Sequence, residues 1–157
     1  MSSPLLRPYR PEDRAACLAL FESNMPQSFL PHERAEFIGW LDGLESGGTA
    51  EHVEYSVIED GGRVVACGGI WWDSERERRA GFAWGMVARD LQSRGYGTLL
   101  VHARLERLRE LGVPEVHLDT TQHTAPYYAR FGFRELTRTL DSYGPGLDRV
   151  DMVARLG

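Results

Sequence analysis

The spacing of apolar positions changes along the chain, and each change marks an element. Leu5 and Leu6 make a short apolar start, and from Pro11 early acids precede Ala16, Leu20 and Phe21, so a strand entering a helix is predicted. Phe37, Trp40, Leu41 and Leu44 recur at spacings of three and four, which predicts a second helix from Pro31 to Leu44, ended by Gly47-Gly48. Val53 to Ile58 and Arg63 to Trp72 read as strands joined by Glu59-Asp60-Gly61-Gly62, where the Asp-Gly pair suits a tight hairpin. A polar turn, Ser74 to Arg79, leads to a third strand, Ala80 to Val87, giving an antiparallel meander.

The clearest helix runs from Tyr96 to Leu111. Leu100, Val101, Leu105, Leu108 and Leu111 form its apolar stripe, with Arg104, Glu106, Arg107, Arg109 and Glu110 placed around the rest. Gly112 and Pro114 stop it. Val116 to Thr120 follows as a strand, Ala125 to Phe131 as a short helix, and Phe133 to Leu140 and Val150 to Leu156 as two closing strands around the turn-rich Ser142 to Gly146. The sum is an α/β fold with one mixed sheet of about seven mostly antiparallel strands, about four helices, and a strand-helix-strand unit at its centre.

Composition narrows the class. A chain of 157 residues fits a single domain, here 1-157. With 42% hydrophobic and 26% charged residues it matches an ordinary globular protein. A net charge of -5 has the wrong sign for holding a polyanion, which excludes nucleic acid as a partner. The N-terminal residues develop no signal-peptide core and no apolar run reaches membrane-spanning length, so a cytoplasmic protein without a membrane partner is expected. Cys17 and Cys67 read as small buried hydrophobes suited to a reducing compartment.

The candidate chemistry sits in Gln92-Ser93-Arg94-Gly95-Tyr96-Gly97, between the strand ending at Val87 and the strong helix. Unpaired N–H groups at a helix start attract anions, and glycines let a phosphate approach the backbone. A P-loop would need Gly-Lys-Ser/Thr, but Gly97-Thr98-Leu99 stands there; a dinucleotide fingerprint would need a third glycine where Leu100 stands.

Val87-Ala88-Arg89-Asp90-Leu91-Gln92-Ser93-Arg94-Gly95-Tyr96-Gly97 resembles the signature of the GNAT superfamily of N-acetyltransferases, a strand-ending valine followed by Gln/Arg-x-x-Gly-x-Gly/Ala. Downstream, Thr124-Ala125-Pro126-Tyr127-Tyr128-Ala129-Arg130-Phe131-Gly132-Phe133 is similar to the family's second signature. The resemblance covers nearly the whole chain. It implies an enzyme that moves an acetyl group from acetyl-CoA, bound as co-substrate without a metal, to a primary amine by direct attack in a ternary complex. Alternatives are a donor such as succinyl-CoA, or a non-catalytic domain that binds or senses acyl-CoA.

The same resemblance places pantetheine against Met86, Val87 and Ala88, with an N–H of Val87 or Met86 on the thioester carbonyl. It places pyrophosphate on Gln92, Ser93, Arg94, Gly95, Tyr96, Gly97 and Thr98. Tyr128 takes the position of the general acid that protonates the departing thiolate, and Thr121 or Gln122 stands where relatives carry a pantetheine-binding asparagine. No acid occupies the strand Ala80 to Gly85 where relatives often keep a general base, which leaves Asp73, Asp119, His123 and Glu33 as candidates, His123 foremost. The acceptor, a small molecule or peptide amine, is expected against Asn24 to Pro31, Phe29 included, and against Trp71 or Trp72. Arg76, Arg78 and Arg79 are candidates for attracting an anionic acceptor. By analogy with relatives, a homodimer is a further expectation.

Overall fold

A computed structural model describes residues 3–48, 52–73 and 79–156. Seven strands, β1 (Leu5–Pro8), β2 (His52–Asp60), β3 (Arg63–Trp72), β4 (Ala80–Val87), β5 (Glu115–Thr121), β6 (Arg134–Gly144) and β7 (Leu147–Arg155), form one sheet in the order β1-β2-β3-β4-β5-β7-β6. Every neighbouring pair is antiparallel except β4 and β5. The helices are α1 (Arg14–Ser23), α2 (Glu33–Ser46), α3 (Tyr96–Glu110) and α4 (Ala125–Ala129). The α/β class, the mixed sheet and the central β4-α3-β5 unit therefore agree with the sequence reading.

Several boundaries differ for local reasons. The β2–β3 turn centres on Gly61 and Gly62, both at positive φ (60° and 81°), while Asp60 still pairs with Arg63. The Asp-Gly pair expected at its centre is displaced by one residue, because two adjacent glycines satisfy a turn with two positive φ angles. α2 starts at Glu33 rather than Pro31, where the Glu33 carboxylate turns back to accept the Leu30 N–H at 2.8 Å. Gly47, at φ 72°, ends it in the left-handed conformation of a helix C-cap. The polar turn from Ser74 falls almost wholly outside the described residues, and Arg76 and Arg78 with it.

Side-chain alternation divides the strands between two cores. Val57 and Cys67 face α1 and α2, joining Cys17, Phe21, Phe37, Leu41 and Tyr55, while Ile58 and Ala66 face the α3 side with Leu100. A third cluster unites Val101, Leu105 and Leu108 of α3 with Val116, Phe133, Val150 and Met152. Cys17 and Cys67 are buried free thiols. At the sheet edge Arg7 grips Asp13 through two bonds of 2.8 and 2.9 Å, tying β1 to the entrance of α1. No helix among the described residues is long and apolar enough to cross a membrane.

One expectation fails instructively. Arg104, assigned to the polar side of α3, is only 6% exposed. It lies four residues after Leu100 and three after Val101, so helical geometry carries it onto the buried face.

Candidate active site

β4 and β5 run parallel yet pair only at Gly81 with His117, and beyond that point the strands part. The β4 register against β3 also jumps between Cys67 and Gly69, leaving Trp84 and Gly85 in a bulge. Trp84 has a φ of 43°, a conformation that costs a bulky residue about 1–2 kcal/mol. Its carbonyl accepts the Tyr55 hydroxyl at 2.7 Å, and its ring packs 4.9 Å from Phe37, so the surroundings hold it there. The parted strands open a cleft of about 1080 Å³ that runs between the loop before α3, α4 and the α1–α2 connection.

The loop end of this cleft gathers backbone donors at the start of α3. Ser93 (φ 68°) and Gly95 (φ 91°) bend the chain through left-handed conformations into α3. The Gly95 carbonyl accepts the Leu99 N–H, so the N–H groups of Gly95, Tyr96, Gly97 and Thr98 are the helix's unpaired first donors. Arg94 is exposed beside them. Side chains brace the loop from outside: the Tyr96 hydroxyl bonds to Asp60, and Arg63 pairs with Asp90 at 3.0 Å. Gly97 serves packing, since a Cβ there would stand 2.9 Å from the Tyr127 hydroxyl.

Alternation fixes which backbone groups of β4 face the gap. The Ala88 N–H donates to the Val65 carbonyl at 2.9 Å, toward β3, so Val87 turns its N–H and C=O the other way. The Val87 carbonyl accepts from Asn24 Nδ2 at 2.9 Å. Asn24 is buried, also donates to the Leu20 carbonyl, and accepts from Gln92 Nε2 at 2.8 Å. The Gln92 amide nitrogen is thereby committed to Asn24. Asn24 thus joins the end of α1 to both the cleft wall and the anion loop.

Tyr128 stands on α4 beside the gap, half-buried, with its ring edge-on to Phe82 and to Phe133. Beneath it lies Arg104, whose guanidinium carbon is 3.8 Å from the Phe82 ring centre. The cleft is also lined by carboxylates and aromatics. Glu33, Glu36 and Asp119 stand there with Phe29, Trp40 and Trp84. Burial holds the Glu33 carboxyl above its ordinary range, opposed by the Leu30 N–H and assisted by the charge of Asp119. Asp119 accepts the Tyr143 hydroxyl and lies 3.9 Å from Arg149.

The predicted site residues divide accordingly. Met86, Val87, Gln92, Ser93, Gly95, Gly97, Thr98, Thr121, His123, Tyr128, Phe29 and Trp71 line the cleft. Ala88 is buried with its N–H spent on β3, Arg94 and Tyr96 belong to the loop without lining the cleft, and Trp72 stacks on His52 at 5.2 Å, away from the cleft. Thr121 is buried, and its hydroxyl lies within bonding distance of Thr124 Oγ1 and the His123 N–H, inside the turn before α4. His123 is exposed on that turn. Of the acid candidates, Glu33 and Asp119 line the cleft and Asp73 does not. Arg104 was missed as a site residue, although its place on the apolar stripe was a legible signal.

The sequence matches the profile of the Acetyltransferase (GNAT) family over residues 14–133. No curated protein sequence matches significantly. In structure, an acetyltransferase of the GNAT family from Desulfovibrio desulfuricans superposes with a TM-score of 0.83 at 19% identity, covering 99% of this chain and 100% of the other. The ribosomal-protein-S18-alanine N-acetyltransferase of Escherichia coli gives 0.77 at 17% identity, over 99% and 95% of the two chains. A spermidine N-acetyltransferase chimera from Vibrio cholerae gives 0.77 at 18%, over 99% and 96%. The parted parallel strands, the anion loop and the profile match agree: this chain belongs to the GNAT family of acetyltransferases.

Proposed function

We propose that this chain carries out the acetyl transfer from acetyl-CoA that is general for its family, delivering the acetyl group to a primary amine of a small molecule or peptide by direct attack while both substrates share the cleft. The observation that carries the reading is the alignment of unpaired N–H groups at Gly95 to Thr98 with the gap that opens beyond Gly81 and His117. The first holds the diphosphate. The second receives pantetheine and brings the thioester to the Val87 N–H, an oxyanion-type contact worth about 3 kcal/mol of barrier. Tyr128 supplies the proton to the departing thiolate.

The acceptor enters from the acidic, aromatic end. Glu33, Glu36 and Asp119 attract a protonated amine, and Phe29, Trp40 and Trp84 pack its apolar part. Two structural neighbours named for their acceptors act on amines, a ribosomal-protein alanine in one case and spermidine in the other. Glu33 takes the proton the amine must lose: its Oε2 is occupied by the Leu30 N–H, its raised pKa makes it an effective base, and Oε1 has no protein donor among the described residues. His123, exposed on the turn before α4, is the second candidate. Two buried free thiols suit the cytoplasm as the working compartment.

The test is release of free thiol from acetyl-CoA over a panel of primary amines, with mass analysis of the products. Amine-dependent release and a matching acetylated amine support the assignment. Tight acetyl-CoA binding without acetylation of any amine would assign the domain to acyl-CoA sensing instead.

A further inference from the structure

We propose that Arg104 is the fixed cation at the sulfur end of the cleft, where it stabilises the coenzyme A thiolate and the tyrosinate left at Tyr128 by proton transfer. The inference rests on the acetyl-transfer reading above and adds to it a charge-stabilising residue.

Arg104 is buried in an apolar wall with Phe82, Leu100, Val101 and Leu118. Its Nε–H donates to the Leu100 carbonyl at 3.3 Å, and the Tyr128 hydroxyl lies close enough to act on the guanidinium as a hydrogen-bond acceptor. Nη1 is buried without a hydrogen-bond partner among the described residues. Two glycines make its space. A Cβ at Gly85 would stand 2.9 Å from Nη1, and one at Gly68 would stand 3.4 Å from it. An arginine kept in such a place without an anion is unfavourable for folding alone, because the Phe82 ring face and neutral acceptors recover only part of the desolvation cost of a buried charge. Methionine or leucine would fill the space without that cost.

Arg104 lines the same cleft as Tyr128 and Val87, so its charge acts on an anion that appears there during turnover. The ionisable groups acting on it are Tyr128 and Tyr127 of α4 and Tyr55 of β2, Tyr128 most strongly. Phe82, Gly85 and Gly68 add none. Farther along the cleft lie His123, Asp119 and Glu33. An arginine stays protonated even when burial weakens its hold on the proton. It therefore acts by charge and not by proton exchange.

In the step concerned, the amine nitrogen bonds to the acyl carbon and the carbon–sulfur bond breaks with its electron pair on sulfur. The Tyr128 proton passes to sulfur, giving a free thiol. The amine's surplus proton leaves by Glu33 or water, and water returns a proton to the Tyr128 oxygen. A fixed cation lowers the energy of both the thiolate and the tyrosinate in a cleft where water screens little.

The experiment follows the ultraviolet absorbance of the thiolate as coenzyme A, bound to the full chain, is titrated with base. The bound thiol should ionise roughly one pH unit or more below free coenzyme A, as an opposite charge nearby favours the ionised form. Arg104→Met should return it to the free value or above and lower kcat about 100-fold with little change in KM for acetyl-CoA. Arg104→Lys should keep part of the shift. Circular dichroism checks the fold of both variants; if Arg104→Met fails to fold, the wild-type shift and the Arg104→Lys titration decide. A wild-type bound thiol that ionises like free coenzyme A overturns the inference and leaves the acetyl-transfer reading intact. Failure of coenzyme A to bind overturns both. A wild-type preference for succinyl-CoA that disappears in Arg104→Met would give the guanidinium to an acyl carboxylate and also overturn it.

Discussion

The Tyr55 hydroxyl reaches across β3 to donate to the Trp84 carbonyl at 2.7 Å, and it does so over Gly69, where a Cβ would stand 2.6 Å from the Tyr55 ring. The bond spans three strands and holds the β4 bulge from the face opposite α3. Tyr55→Phe leaves a part-buried carbonyl unpaired and should cost about 1 kcal/mol in urea unfolding. Because the bulge shapes the gap, turnover should fall by more than the loss of folded protein explains. Equal activity per folded molecule would show that the bulge tolerates release.

Gly95 and Gly97 should respond differently to alanine. At Gly95 the φ of 91° strains any side chain, so Gly95→Ala should cost about 1 kcal/mol and weaken acetyl-CoA binding measured by calorimetry. At Gly97 the obstacle is the Tyr127 hydroxyl, 2.9 Å from the added Cβ. The penalty of Gly97→Ala should therefore shrink in the Tyr127→Phe background, as a double-mutant cycle would measure. Independent, additive effects would contradict that contact.

Glu33 sets an expectation for pH. Its raised pKa means that it holds a proton to higher pH than an ordinary carboxylate, whose pKa is about 4.3. As pH falls through the raised value the base is lost, so the acid limb of kcat/KM should lie above that reference. Glu33→Gln should remove this limb and reduce kcat about 100-fold. A limb that survives in Glu33→Gln moves the role to His123.

Arg7 and Asp13 make stability pH-dependent. The Arg7 hydrogen bonds hold the Asp13 carboxyl below its ordinary range. A depressed folded-state pKa contributes stability that is full above the unfolded value, about 3.9, and is lost as pH falls through the folded value. Asp13→Asn should lower stability at neutral pH by about 2 kcal/mol and flatten the acid slope of urea midpoints. A variant that keeps the wild-type slope would place that slope elsewhere.

The elements of the fold were legible because their signals are local. The stripe of Leu100, Leu105 and Leu108 and the two positive-φ glycines after Asp60 act within a few residues of chain. The β4 bulge was not legible, since it depends on Tyr55 of another strand and on the aromatic group of Phe37 and Phe29 from the α1–α2 region. Asn24 belonged to an expected pocket wall, yet its hydrogen bonds with Val87 and Gln92 join segments more than 60 residues apart, and no spacing rule records such a link. Arg104 lay on the stripe by position but was set outside it by charge. The glycines that admit it, Gly68 and Gly85, come from two other elements.

The most direct measurement is a crystal structure of the chain with coenzyme A and an amine product. The account predicts the diphosphate on the N–H groups of Gly95 to Thr98, pantetheine between β4 and β5 past Gly81 and His117, and the sulfur within reach of Tyr128. Coenzyme A bound outside that gap, or a diphosphate held away from the start of α3, would contradict it.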